Sequence, residues 1–354
     1  MKSIRYIRLA GLLVAFLLTA CGGGGGSGSS ATNNNTDSGN LQTAGEKVQI
    51  SGSGIKGPLA FADTKIFSFD PAFPEFYDSN SPISIAITDQ YAQFSDLTVP
   101  GNIPPPYILV IGGDQAIDLN TGKPPVISRL TTVITQEMLD GKAPVYATPL
   151  TTLAYQMARN GNNVKRDVNT FISQLKSASV EVGRLFAIDQ DNVVDIFKSP
   201  LVINDATDTL AKQEEAVNHR ATLEAFAAKV YRLSLRNNIS TDTIIERIAL
   251  DIESDGVIDN SANGTVIGGI DPVTLSQDPV KLVIPNTAYR IEDTITLMKE
   301  ERVALGAGNG PEILVDTVNF NNRPTGDSSS GSSTPVPAPA APAAPAAPAA
   351  PAAP

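Results

Sequence analysis

The sequence predicts an α+β fold: a β-sandwich-like domain over residues 46–147, then an α-helical bundle domain over 148–323, framed by disordered Gly/Ser-rich and Pro/Ala-rich ends. Three observations predict it. Apolar residues alternate with polar ones before residue 148, the period of a half-buried strand. After residue 148 they recur every three to four positions, the period of an amphipathic helix. The flanking segments read as low-complexity: 22–45 has almost no apolar content to offset its conformational entropy, and the C-terminal end is a Pro/Ala repeat.

Lys2, Arg5 and Arg8 give a positively charged start, and Leu9 to Leu18 is apolar but for Gly11. Such a run is shorter than the roughly 20 residues that span a bilayer, and it reads as a secretory signal over 1–20. Leu18-Thr19-Ala20-Cys21 resembles the bacterial lipobox. The resemblance implies cleavage between Ala20 and Cys21 and lipid attachment at Cys21, the only cysteine in the chain. Two or more acyl chains give a stable anchor. With that thiol consumed, no disulfide supports the fold. Gly22, in place of Asp after the cysteine, implies the outer membrane more than the inner.

Residues 21–45 form the expected Gly/Ser/Asn tether. The β region follows. Val48 and Ile50 alternate, as do Ile83, Ile85 and Ile87, and YILVIGG (107–113) suits a buried strand. Gly57-Pro58, Pro100-Gly101 and Pro104-Pro105-Pro106 punctuate it. The stretch ISGSGIKGPLAFADTKIFSFD (50–70) resembles the start of carboxypeptidase-regulatory-like, transthyretin-like β-sandwich modules, through Gly52, Gly57, Pro58, Leu59, Ala62 and the strand Lys65–Phe69. The resemblance implies an accessory fold without catalytic residues.

Helices are expected over 147–161, capped by Thr148 with Pro149 in the first turn, and over 164–185. A long one runs from Thr207 to Leu235, with Leu210, Val217, Leu223, Phe226, Val230 and Leu233 inward. Another starts at Ser240 or Thr241 and carries Ile244, Ile245, Ile248 and Ile252; the last spans Ala288–Leu305. Their stripes read as a bundle core. TPLTTL (148–153) beside a Gly-Pro-Leu β module resembles exported lipoproteins of Gram-negative bacteria, a family of mostly unassigned function. Residues 324–354 end the chain, with Pro at every third position from Pro339. That period fits polyproline II, and at about 3.1 Å per residue the last 20 residues reach roughly 60 Å.

Site chemistry is sparse. Asp251, Glu253, Asp255, Gly256 and Asp259 have the spacing of a calcium loop. Position twelve is Ala262 where an EF-hand has Glu, and position three is Glu. Two readings stand: a Ca2+ site, and acids solvated at a helix end. DQDNVVD (189–195) lacks a turn glycine. His219, the only histidine, is expected on the surface, and no Ser-His-Asp or zinc set can be assembled. The pairs Glu214-Glu215 and Glu300-Glu301 are expected not to converge.

After removal of residues 1–20 the net charge is 23 − 37 = −14, and no basic run indicates nucleic acid. The expected role is a non-enzymatic, lipid-anchored cell-envelope protein for binding or scaffolding, with no cofactor. The alternative is an accessory lipoprotein that moves an apolar or lipid-like substrate beside an outer-membrane protein partner.

Overall fold

A computed structural model describes residues 47–161, 166–187, 195–198, 201–306 and 310–320. Ala20, Cys21, the tether, most of the 189–195 segment and the Pro/Ala tail lie outside the described residues. The fold is mixed α+β.

The strands are β1 (Val48–Gly54), β2 (Leu59–Ala60), β3 (Asp63–Ser68), β4 (Ser84–Ile87), β5 (Phe94–Val99), β6 (Tyr107–Gly112), β7 (Ile117–Asp118) and β8 (Arg129–Ile134). A short helix, α1 (Gln136–Gly141), precedes β9 (Val145–Ala147). β4-β3-β6-β8 is an antiparallel sheet. In a second sheet β1 lies between β5, antiparallel, and β9, parallel. β2 and β7 form a third, two-residue pair.

β6 is buried along almost its whole length, as its continuous apolar run predicts for a strand covered on both faces. Register follows from β3, where Thr64 and Ile66 are buried while Asp63 is exposed. A one-residue slip would turn Asp63 and Lys65 inward. β1 and β9 approach so closely that a Cβ on Gly52 would sit 1.9 Å from the Val145 carbonyl oxygen.

The helices are α2 (Pro149–Asn160), α3 (Val168–Phe186), α4 (Leu210–Asn237) and α5 (Thr241–Asp255). After α5 come β10 (Ser261–Ala262) and β11 (Thr265–Val266), joined by Asn263-Gly264. Both turn residues have positive φ, as a two-residue type I′ hairpin requires. Then α6 (Pro272–Ser276) and a 3-10 turn over Ile291–Asp293 lead into α7 (Thr294–Ala304).

TPLTTL has two structural tasks. Thr148 and Thr151 form a reciprocal capping box at the start of α2. Thr151 and Thr152 then seal the outer edge of β8: Thr151 Oγ1 donates to the Thr131 carbonyl (2.8 Å), and the Thr131 N–H donates to Thr152 Oγ1 (2.8 Å). An open edge is thereby closed without another strand.

The described residues fall in one compact unit. The apolar core crosses residue 148 without a break, from Ile111 and Val133 through Leu150 and Leu153 to Phe226 and Ile248. A smaller core joins α4 to α7 through Val217, Ile291, Ile295 and Met298. The long helix starts at Leu210, capped by Thr209. Leu210, expected inward, is 47% exposed because it occupies the first turn, beyond the packing partners of α4.

Candidate functional site

An apolar cavity of about 340 Å³ opens between α3, α1 and the strand ends beside them. Val168, Ile172 and Leu175 line it from one face of α3, spaced four and three residues apart. Val133 contributes from β8 and Met138 from α1; Phe197 contributes from the 195–198 segment. Pro105 and Pro106 form part of its wall without offering a backbone donor. The volume lies at the small end of the range for ligand sites, about 300–1,000 Å³.

Charged side chains sit at its open side. Lys198 Nζ pairs with Glu137 Oε1 at 2.6 Å, both more than half exposed. That contact lowers the pKa of Glu137, and Lys176 adds to the effect; the same hydrogen bond raises Lys198. Exposed pairs of this kind contribute little to stability, so the mouth is weakly held.

A second cluster lies deep inside. Lys56, from the Gly-Ile-Lys-Gly-Pro turn, places Nζ 3.5 Å from Asp118 Oδ2 and 3.3 Å from Glu224 Oε2. Arg220 Nε donates to Glu224 Oε1 (3.1 Å), and its two terminal nitrogens grip Glu301 in a bidentate pair (3.2 and 2.7 Å). All five side chains are buried. Burial pushes the Glu301 carboxyl up, opposed chiefly by Arg220. Burial alone would lower Arg220, but the charges of Glu301 and Glu224 leave it raised. The cluster joins a β turn, β7, α4 and α7, and buried charges persist only when paired in this way. Gly57 is required there: a Cβ would lie 2.0 Å from Asp118 Oδ1. With no solvent access, the five groups serve the fold rather than a ligand.

The sequence-predicted site residues fare differently. Asp251 is buried in α5, and its Oδ1 accepts the Ser261 N–H at 2.7 Å. Burial raises its pKa, and the charges of Asp259 and Asp255 add to this. Asp255, the last residue of α5, accepts the Val257 N–H, while Asp259 is exposed and Glu253 half-buried. Gly256 ends the helix with φ 79°. Among the described residues no group of three or more acidic, His or Cys side chains is placed to hold a metal ion, so Asp251, Glu253, Asp255 and Asp259 do not converge on one cation. Asp251 instead fastens the β10–β11 hairpin to α5.

One expectation is corrected. His219 is fully buried, not on the surface, because α4 is covered on every side along its middle. The pair Glu300-Glu301 does not converge, as expected: Glu300 accepts the Tyr289 hydroxyl at the surface, while Glu301 turns inward to Arg220. Glu301 meets the more distant carboxylate Glu224 through Arg220, a juxtaposition that the helical stripe conceals because the partners come from separate segments. Lys56 and Arg220 were missed altogether. The available signals were a lone lysine inside an apolar, Gly-rich turn and the alanines of α4 (Ala216, Ala221, Ala225, Ala227, Ala228), which spread over about half the helix circumference instead of one narrow stripe, as in a helix covered on more than one side.

Among the described residues no helix is long and apolar enough to cross a membrane. No family model matches the chain, and neither a curated protein nor a solved structure is found to be similar to it.

Proposed function

We propose that this chain is a lipid-anchored cell-envelope protein, held by acyl groups on Cys21, whose folded part is a non-enzymatic binding module for an apolar ligand. The observation that carries the reading is the apolar cavity between α3 and α1. Of the two expected roles, binding or scaffolding on one side and transport on the other, it favours the second, in which the module binds an apolar substrate and hands it to an outer-membrane protein. The finer architecture belongs to the same reading: a two-sheet, sandwich-like β module followed by helices, with the Gly/Ser/Asn segment as tether. No nucleophile–base pair or metal set is needed for this role. The charge at the mouth is balanced and the net charge of the chain acidic, which favours neither nucleic acid nor an anionic lipid surface.

The test has two arms. Envelope fractionation should place the protein in the outer membrane, and Cys21→Ala should release it to the soluble fraction. The released Cys21→Ala chain, free of detergent, should bind the neutral probe N-phenyl-1-naphthylamine with a saturable rise in fluorescence. Membrane attachment that survives Cys21→Ala would remove the anchor. A probe that never saturates would remove the binding module.

A further inference from the structure

The polar atoms around the cavity indicate what its ligand carries, if the cavity is a binding site as proposed above. Nearly all of them are already engaged. Thr135 Oγ1 accepts the Met138 N–H as the cap of α1 (3.4 Å), and Gln136 Nε2 donates to Asp140 Oδ1 (2.8 Å). Glu137 and Lys198 hold each other. Asp195 Oδ1 accepts the N–H groups of Phe197 (3.0 Å) and Lys198 (3.2 Å). Ser179 Oγ donates to the Lys176 carbonyl (2.8 Å), and the Pro106 carbonyl accepts the Phe69 N–H (3.3 Å).

Lys176 is the exception. It lines the cavity on the exposed side of α3, one residue after Leu175; among the described residues its ammonium makes no hydrogen bond and no contact ion pair, and it acts on Glu137 only at longer range. Among the described residues a ligand therefore meets apolar walls, rim groups bonded within the protein, and one cation, Lys176, without a contact partner. At about 30 Å³ per water-sized group the cavity encloses roughly eleven heavy atoms, and a larger ring system such as that of N-phenyl-1-naphthylamine extends out through its open side.

We infer that the cavity takes a monoanionic amphiphile of about that size, a medium-chain carboxylate, with its chain against Ile172, Leu175 and Phe197 and its carboxylate at Lys176. The two lining anions, Glu137 and Asp195, are each turned to a donor of the protein's own, so the incoming carboxylate shares Lys176 only with the longer-range field of Glu137. A neutral chain gains the walls alone, and a cationic one meets Lys176 unfavourably.

The test compares three ligands with the same ten-carbon tail on the Cys21→Ala chain at pH 7: decanoate, decanol and decylamine, each displacing N-phenyl-1-naphthylamine. Decanoate should displace the probe at about fivefold lower concentration than decanol, the size expected of one partly exposed ion pair, and decylamine should be weakest. Lys176→Met should abolish the preference while leaving probe binding intact, and Lys176→Glu should reverse it. Added salt should shrink it. Decanol equal to or better than decanoate, or a preference that survives Lys176→Met, would overturn the inference while leaving the cavity a binding site. Failure of the probe itself would overturn both.

Discussion

Lys56→Met removes the central cation of the buried cluster. Its ammonium lies 3.3 Å from Glu224 and 3.5 Å from Asp118, and at an effective dielectric constant of about 20 each contact is worth about 5 kcal/mol before desolvation. Losing the lysine also spares the cost of burying an ammonium, which is itself several kcal/mol. What remains is three carboxylates against Arg220 alone, with Asp118 stripped of its contact ion pair and left only the longer-range charge of Arg220. Breaking a buried pair in this way costs about 3–5 kcal/mol, a large part of the 5–15 kcal/mol that holds a typical domain. Urea unfolding of the Cys21→Ala chain, followed by far-ultraviolet circular dichroism at pH 7, measures it. Adding Asp118→Asn to Lys56→Met should recover part of the loss, since it removes the stranded charge; a coupling of about 0.5–3 kcal/mol is expected. A loss below about 1 kcal/mol, or no coupling, would refute the view that these charges hold the turn to α4.

Two further outcomes are expected. Thr152→Val leaves the Thr131 N–H at the β8 edge without its acceptor, and should cost about 1–3 kcal/mol in the same urea assay. Lys229 is buried on α4 with its ammonium donating to the Leu275 carbonyl (2.6 Å), and burial lowers its pKa to about 8, opposed by Asp278. The unfolded chain therefore holds this proton more tightly. Stability should rise with pH between about 8 and 10.5 and be lower by about 3 kcal/mol below that window. Urea midpoints across it should show the rise in the parent and its loss in Lys229→Met; a rise of equal size in the variant would place the titration elsewhere.

How much was legible depended on how local the cause was. The α2 start was readable because Thr148, Pro149 and Thr151 act within one turn. Strand β6 was readable because a short continuous apolar run has few other places to go. The Asn263-Gly264 hairpin was equally local and was overlooked, obscured by the acidic spacing just before it. That spacing suggested calcium, yet a helix turns Asp251 inward and leaves Asp259 outside, so sequence intervals alone did not fix convergence. The cavity was not legible: Pro106, Met138, Leu175 and Phe197 meet only through tertiary packing. The ionic cluster was hidden for the same reason, since Lys56 and Glu224 are 168 positions apart in sequence (224 − 56).

The chain contains no tryptophan, so Phe197→Trp would place a single reporter in the cavity wall while keeping an aromatic ring there. Titrating this variant, in the Cys21→Ala background, with decanoate below its micellar range is the most direct measurement. A saturable blue shift of the emission, removed by the cavity-blocking Leu175→Arg in a chain whose urea midpoint shows it still folded, is the result expected of a binding module. An emission spectrum that does not change with decanoate, or a shift that Leu175→Arg leaves intact, would contradict it.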